Sequence, residues 1–149
     1  EGEILVAGPT VAPGSLDGDG WLRTGDLGVI DAGGCLRVTG RKADTIVSGG
    51  ENVAPAEVEA VLEAHPDVLE AAVLGRADPR WGEAVTAIVV TRPGAALEGD
   101  ALRAHCARGL ASHKVPKQFA FVAEPLPRTR SGKLLRKELR AVGGEERLG

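Results

Sequence analysis

The sequence predicts an α+β fold: a small antiparallel β segment, followed by a compact C-terminal lobe in which helices cover a three-stranded sheet. Residues 1–40 carry short apolar runs broken by glycine-rich turns and show no convincing helical pattern. From residue 44 onward, Val-rich and Ala-rich runs alternate with segments of helical periodicity, which is typical of a sheet covered by helices. A polar stretch at 40–44 separates the two patterns. We therefore predict two parts, residues 1–42 and residues 43–149.

Within the first part, three short runs are strand-like, at residues 3–7, 29–31 and 35–39. The last two flank Ala32-Gly33-Gly34, a turn of small residues that predicts a hairpin. Asp26 stands beside a glycine, where we expect a sharp bend. The first part is therefore expected to be a small antiparallel sheet, and it is a poor candidate for an independent domain.

The second part is predicted to begin with a hairpin about Gly49-Gly50 and to continue as helix, strand, strand, helix, strand, helix. Proline suits the first turn of a helix and glutamates favour its N-terminal end, so Pro55 and the acidic residues after it mark a helix start. Asp100 is expected to cap the second helix. The predicted ranges are a helix at 55–63, strands at 68–74 and 84–90 joined by a loop at 75–83, a helix at 101–110, a strand at 119–122 and a last helix after Lys133.

The C-terminal region is predicted to be an amphipathic helix with a loose tail. Leu134, Leu135 and Leu139 form its apolar face, and Arg136 is expected in solvent with its basic neighbours. Residues 143–149 are expected to fray.

Composition excludes several classes of protein. The net charge of -3 provides no overall positive field, so we expect no nucleic-acid partner. No apolar run approaches the roughly 20 residues that span a bilayer. Cys35 and Cys106 match neither a CxxC nor a zinc spacing, and no metal site is expected. We interpret both as free thiols in a reducing, cytoplasmic compartment, with a disulfide as the alternative.

A basic, turn-rich stretch at residues 127–133 (PRTRSGK) ends in a single lysine directly before the last helix. Gly132 lets the backbone bend there, and Pro127 stiffens the entry. A lysine at the tip of a loop held at both ends can reach into a cleft of another domain. The ammonium of Lys133 is a compact charge that suits a phosphate or a developing carboxyl–phosphate anion. The alternative is a basic C-terminal helix with a solvated face.

This stretch and three others together resemble motifs of the adenylate-forming superfamily, which contains acyl-CoA synthetases, luciferases and peptide-synthetase adenylation domains. Residues 21–27 (WLRTGDL) are similar to its aspartate motif, and residues 40–44 (GRKAD) to its hinge motif. Residues 49–59 resemble the form usual in acyl-CoA ligases, and residues 127–133 the terminal lysine motif. Their order and spacing agree over nearly the whole chain.

The resemblance implies that a carboxylate is activated with ATP as an acyl-adenylate and that the acyl group then passes to coenzyme A. It implies that Asp26 binds the ribose hydroxyls of ATP and that Arg41 contacts the nucleotide ribose or phosphate. Lys133 would bridge the carboxylate and the α-phosphate. The small lobe would rotate between the two half-reactions about Ala43, where relatives usually carry Asp or Lys. Taken alone, Asp26 is an aspartate in a glycine turn and Arg41 a surface arginine.

Under this resemblance, two groups of residues would meet coenzyme A. One group would line the channel for the pantetheine arm: Gly49, Gly50 and Glu51. The other offers positive charge and a flat ring to the nucleotide end: Trp81, His113, Lys114 and Lys117. The alternatives are a plain hairpin turn for the glycines, a buried structural role for the tryptophan and a solvated loop for the lysines.

The sequence lacks parts that the reaction needs, because it contains no glycine-rich phosphate loop and nothing that resembles an acid pocket. ATP with Mg²⁺ would therefore be bound mainly by a large N-terminal domain, with residues 1–42 as its end and residues 43–149 as a mobile lid. The start at Glu1 without methionine agrees with a C-terminal fragment, which we expect to be inactive alone. An adenylation domain that loads a carrier protein and a non-catalytic binding module remain as alternatives. The carboxylic acid itself is not identified.

Overall fold

The computed structural model describes residues 1–142. Within this range the chain forms two compact units, Glu1–Thr45 and a larger unit that begins at Ile46. The boundary between the units lies slightly later than the predicted division after residue 42. The assignment of these parts to a large N-terminal domain and a mobile lid stays a prediction. The expected fraying of residues 143–149 lies outside the described residues.

The first unit is a three-stranded antiparallel sheet in the order β1-β2-β3. Its strands are β1 Gly2–Val6, β2 Leu22–Ile30 and β3 Leu36–Arg41. Two short 3-10 turns, Pro13–Ser15 and Lys42–Asp44, complete the unit. The predicted antiparallel sheet and the hairpin at residues 32–34 are confirmed.

Asp26 lies inside β2, opposite Arg41 of β3, so the sharp bend expected at this residue is wrong. The strand continues because Gly25 adopts a φ of +72° and the register to β3 shifts between Leu27 and Gly28. A glycine and a β-bulge together absorb such an irregularity without ending a strand.

One face of the first unit exposes apolar side chains. Ile30 is 75% exposed, Val38 65% and Leu36 54%. Ile30 and Leu36 are direct cross-strand partners, and Val38 follows Leu36 on the same face. A three-stranded sheet without a packed helix cannot cover both of its faces, so this face stays open in the described chain.

The second unit is a five-stranded sheet with helices on it. Its elements are β4 Ile46–Ser48, β5 Glu51–Val53, α1 Pro55–Glu63, β6 Val68–Asp78, β7 Gly82–Thr91, α2 Gly99–Gly109, β8 Gln118–Val122 and α3 Arg136–Leu139. The strand order is β5-β4-β7-β6, and β8 pairs in parallel with β7. The predicted order of elements and the α+β class are confirmed. The expected count of three strands is wrong, because the β4–β5 hairpin joins the sheet through β7.

The sheet separates two clusters of buried side chains. The first lies under α1 and α2 and contains Val58, Leu62, Val73, Val85, Leu102 and Cys106. The second lies under the C-terminal segment and contains Leu74, Ile88, Val90, Leu126 and Leu139. Alternate residues of β6 and β7 serve the two faces, which explains why both strands are apolar throughout.

The predicted loop at residues 75–83 is wrong, because β6 runs on to Asp78 and β7 starts at Gly82. The connection is short because the Asp78 carboxylate accepts the backbone N–H groups of Arg80 and Trp81, at 2.8 and 3.0 Å. This turn of the Asx type closes the hairpin within three residues, and the strands pair up to it.

Two expectations about the helices are also wrong. Asp100 does not cap α2: the helix begins at Gly99, and Asp100 pairs with Arg103 inside its first turn. Arg136 is not in solvent, because its guanidinium contacts Glu59 of α1. The burial of Leu139 and the partial burial of Leu134 agree with the predicted apolar face.

Both cysteines are free thiols, as predicted. Cys35 is exposed and Cys106 is buried, and burial raises the pKa of the Cys106 thiol. Among residues 1–142, no helix has the length and apolar character needed to cross a membrane.

Candidate functional site

Lys133 lies at the end of a tight hairpin that precedes α3. Thr129 and Lys133 close the hairpin, since the Thr129 N–H donates to the Lys133 carbonyl at 2.8 Å. The Thr129 hydroxyl accepts the Lys133 N–H at 3.1 Å. Gly132 has a φ of +83°, a conformation that other residues rarely adopt, and this lets the chain turn directly before the lysine.

The Lys133 side chain is exposed. Within residues 1–142 its ammonium takes part in no hydrogen bond and no ion pair. The backbone around it is therefore fixed while the charge itself is available to a ligand or to another domain.

Two arginines hold this hairpin on the body of the second unit. Arg128 contacts Glu70 of β6 at 3.1 and 3.3 Å and donates to the Gly132 carbonyl at 3.0 Å. Arg136 makes a two-pronged contact with Glu59, at 2.7 and 3.0 Å, and donates to the Val73 carbonyl at 2.7 Å. Because one arginine stands on each side of Lys133, the hairpin is anchored at both ends.

Asp26 and Arg41 form an ion pair in the first unit. Their side chains meet at 2.8 Å, with Asp26 31% exposed and Arg41 58% exposed. Thr24 supports this geometry, because its hydroxyl accepts the Asp26 N–H at 3.0 Å and donates to the Ile4 carbonyl at 2.8 Å. An exposed pair of this kind contributes only about 0–1 kcal/mol to stability, so either partner can turn to a ligand at little cost.

Ala43 lies in the middle of the 3-10 turn Lys42–Asp44, directly before the boundary between the units. Its side chain is exposed. The hinge role of Ala43 stays a prediction, and its position is compatible with that role.

Gly49 and Gly50 form the two-residue turn between β4 and β5. Their φ angles are +61° and +84°, which is the pattern of a type I′ hairpin turn. The ring of Trp81 packs on Gly49 so closely that a Cβ there would lie 3.1 Å from the ring. The Gly49 N–H also donates to the Trp81 carbonyl at 2.8 Å. Glu51 follows the turn with an exposed side chain.

Trp81 brings two cations to this turn. The guanidinium of Arg80 lies 4.8 Å and the ammonium of Lys117 lies 5.2 Å from its ring centre. The indole is half-buried and has a polar environment, which differs from a purely structural core residue. The structure thus groups Gly49, Trp81 and Lys117.

The other two residues of the basic connector are placed differently. Lys114 is held by Glu57 of α1, with contacts of 2.7 and 2.8 Å. His113 is half-buried and makes no hydrogen bond or ring contact within residues 1–142.

The pKa of Lys117 is lowered from 10.5 by partial burial and by the neighbouring charges of Arg103 and Arg80. Between this lowered value and 10.5, the unfolded chain binds more protons than the folded chain, so stability rises with pH in that window. We expect the Arg103→Met variant to raise the pKa of Lys117, because one repelling charge is removed. An NMR titration of the Lys117 side chain measures the change. The Arg108→Met variant, which alters another cation of α2, should leave the titration unchanged.

Sequence reasoning missed several residues that shape these groups. They are Thr24, Glu57, Glu59, Glu70, Arg80, Arg103 and Arg128. Thr24 had a local signal, because a threonine two residues before an aspartate often accepts its N–H. Arg80 adjoins Trp81 in the sequence, and the others act through contacts between distant segments, which leave no local signal.

Residues 1–142 contain no group of three or more His, Cys, Asp or Glu side chains that could hold a metal ion.

Known proteins resemble this chain in sequence and in structure. The family described as "AMP-binding enzyme C-terminal domain" matches residues 57–133, which is more than half of the chain. The chain is 48% identical over 143 residues to a sulfoacetate–CoA ligase of Cupriavidus necator. It is 48% identical over 151 residues to a 2-succinylbenzoate–CoA ligase of Bacillus cereus. These matches cover 93% and 95% of the chain but only 28% and 31% of the relatives, so the chain spans less than a third of their length.

Solved structures of related synthetases also resemble the chain. An o-succinylbenzoate CoA synthetase from Bacillus subtilis, in complex with its acyl-adenylate intermediate, matches with a TM-score of 0.82 and 40% identity. That match covers 99% of the chain and 31% of the synthetase. An amide bond synthetase from Marinactinospora thermotolerans matches with a TM-score of 0.82 and 39% identity, over 94% of the chain and 30% of that protein.

Proposed function

The chain belongs to the family of AMP-binding enzyme C-terminal domains, and on that premise we propose that it is the C-terminal part of an ATP-dependent ligase. This ligase joins a carboxylic acid to coenzyme A through an acyl-adenylate. The names of the relatives as CoA ligases support this class of reaction. The described chain supplies the ammonium of Lys133, which moves with the small lobe, and part of the channel for the thiol of coenzyme A. An N-terminal domain supplies the phosphate and acid sites.

The observation that carries this proposal is the exposed Lys133 on an anchored hairpin. Its ammonium has no partner within residues 1–142, although the backbone on both sides is fixed. During adenylation this charge stands beside the junction of carboxylate and α-phosphate, where negative charge grows as pyrophosphate leaves. A cation that is placed in advance stabilises that transition state more than the ground state.

Asp26 and Arg41 serve the nucleotide in this proposal. A carboxylate accepts two hydroxyl hydrogen bonds, so Asp26 suits the ribose of ATP. Arg41 lies 2.8 Å from Asp26 and orients its carboxylate while leaving guanidinium donors for the ribose or a phosphate.

The Gly49-Gly50 turn serves the second half-reaction. Glycine backbone without side chains lets the thin pantetheine arm pass close by, with Glu51 beside it. Trp81 and Lys117 adjoin this turn and offer a ring face and positive charge to coenzyme A. Lys114 and His113 of the same connector are further candidate contacts for coenzyme A, and Lys114 pairs with Glu57. When the small lobe rotates about Ala43, the face with the Gly49-Gly50 turn replaces the face with Lys133 at the active site.

Mg²⁺ enters with ATP in this proposal. The ATP phosphates and the N-terminal domain would hold the ion. The unpaired thiols support a reducing, cytoplasmic location. Loading of a carrier protein and non-catalytic binding are not favoured, because the named relatives in the sequence comparison are CoA ligases.

The proposal is tested with the full-length parent protein and a panel of carboxylic acids. We expect pyrophosphate release that depends on one class of acid, and a thioester product when coenzyme A is added. The 149-residue chain alone should release no pyrophosphate. Acyl transfer to a carrier protein in place of coenzyme A would contradict the assigned acceptor, and turnover by the chain alone would contradict the division of labour.

A further inference from the structure

The β4–β5 hairpin that carries the Gly49-Gly50 turn is attached to the sheet by a very short ladder. β4 pairs with β7 only at Ser48 and Gly82. The next residue toward the turn is tied as well, because the Gly49 N–H donates to the Trp81 carbonyl at 2.8 Å. At Val47, one residue further from the turn than Ser48, β4 and β7 no longer pair through their backbones.

A side chain takes the place of the missing pair. The carboxylate of Glu83 accepts the Val47 N–H at 2.8 Å. Three successive residues of the hairpin are thus held to β7 and its turn: Val47 by Glu83, Ser48 by Gly82 and Gly49 by Trp81. Only the contact between Val47 and Glu83 uses a side chain. A carboxylate is a stronger acceptor for an N–H group than a neutral carbonyl.

Gly75 provides the space for this carboxylate. A Cβ at Gly75 would lie 2.7 Å from one carboxylate oxygen of Glu83 and 2.8 Å from its carboxyl carbon. The φ of Gly75 is not in the positive range that favours glycine, so the residue is small here for reasons of space alone. The missing side chain on β6 lets the Glu83 carboxylate reach across to β4.

We propose that Glu83 is a positioning residue for the transfer of the acyl group to the thiol. Through the Val47 N–H it fixes β4, and through β4 it fixes the Gly49-Gly50 turn against Trp81. This inference rests on the proposed function, in which that turn lines the path of the pantetheine arm. Glu83 contacts β4 at Val47, two residues before the turn, so in this proposal it acts through the backbone of β4.

The test measures the two half-reactions separately in the full-length parent protein. In Glu83→Ala, we expect thioester formation from preformed acyl-adenylate to fall by about 10- to 100-fold, because small displacements of a positioned group have effects of that size. Acyl-adenylate formation should change by less than about twofold, within ordinary scatter of near-neutral variants. Hydrogen exchange of the peptide that contains Val47 should become faster.

Two further variants separate positioning from folding. Glu83→Gln keeps an oxygen acceptor for the Val47 N–H and should recover most of the thioester rate. Gly75→Ala displaces the carboxylate without altering Glu83, and the cost to the fold is small because the end of a flexible side chain moves. It should therefore reproduce the selective loss with little change in the melting temperature.

Ser48→Ala is the matched control, because the buried Ser48 hydroxyl has no hydrogen-bond partner among residues 1–142. It should leave both half-reactions unchanged. Equal loss of both half-reactions in Glu83→Ala, or an unchanged thioester rate despite faster exchange at Val47, would overturn the proposal. Failure of the proposed function is distinguishable, since the unaltered parent would then form no thioester with coenzyme A.

Discussion

Replacement of Lys133 by alanine in the full-length parent protein is expected to slow acyl-adenylate formation by about 100- to 1,000-fold, the usual effect of removing one preorganised electrostatic group. The hairpin backbone is held by Arg128, Thr129 and Arg136, so removal of the exposed side chain leaves the loop in place. The loss therefore reports on the charge alone. Thioester formation from preformed acyl-adenylate should change by less than about threefold, because in the proposed function the ammonium takes no part in that step.

Single-turnover pyrophosphate release and thioester formation measure the two steps. Arg130→Ala is the matched control, since it removes a neighbouring exposed cation of the same hairpin and should retain both rates. Lys133→Arg should recover little of the adenylation rate, because a planar guanidinium does not reproduce a compact ammonium. Equal loss in both half-reactions of Lys133→Ala would show that the lysine is not specific to adenylation.

Replacement of Arg136 by alanine is expected to lower the free energy of unfolding of the second unit by about 3 kcal/mol, the scale on which a buried ion pair loses one partner. The Arg136 side chain is only 21% exposed and that of Glu59 13%. The variant would leave the Glu59 carboxylate in a poorly solvated site and remove the donor to the Val73 carbonyl. The same change would remove the contacts that Arg136 makes from α3 to α1 and β6, while Leu139 stays packed in the second cluster.

Denaturant unfolding of the 149-residue chain measures this effect. In a Trp21→Phe background, Trp81 is the single tryptophan and reports on the second unit. Arg128→Ala is the control, because the Arg128–Glu70 pair is more exposed, at 40% and 23%, and should cost only about 0–1 kcal/mol. A loss in Arg136→Ala no larger than that of the control would contradict the structural role of the pair.

The order of elements in the second unit could be predicted because hydrophobic periodicity and punctuating residues are local signals. The helix at Pro55–Glu63 is an example, with proline at its start and apolar residues on one side. The loop at 75–83 was predicted wrongly because glycine and charged residues suggest a loop. Their tertiary reason is different: Gly75 makes room for Glu83, and Asp78 closes the turn.

The candidate site was predictable in part. Lys133, Asp26 and the Gly49-Gly50 turn stand in recognisable motifs. The turns at Gly49-Gly50 and Gly132 were readable from sequence, whereas the bend expected at Asp26 was not found. Their supports were not predictable. Arg136 has the pattern of a solvated helix residue, yet it contacts Glu59 from a distant helix, because that contact exists only once α1 and the C-terminal segment lie on the same sheet. Contacts across distant segments leave no periodic trace in one sequence.

The open apolar face of the first unit has a practical consequence for work with the isolated chain. The exposed side chains of Ile30, Leu36 and Val38 form an apolar surface. Strand β3, which carries Leu36 and Val38, is also an edge strand of its sheet. Such surfaces promote self-association when a protein is separated from its normal neighbours. We therefore expect this apolar surface to promote self-association of the purified chain at high concentration.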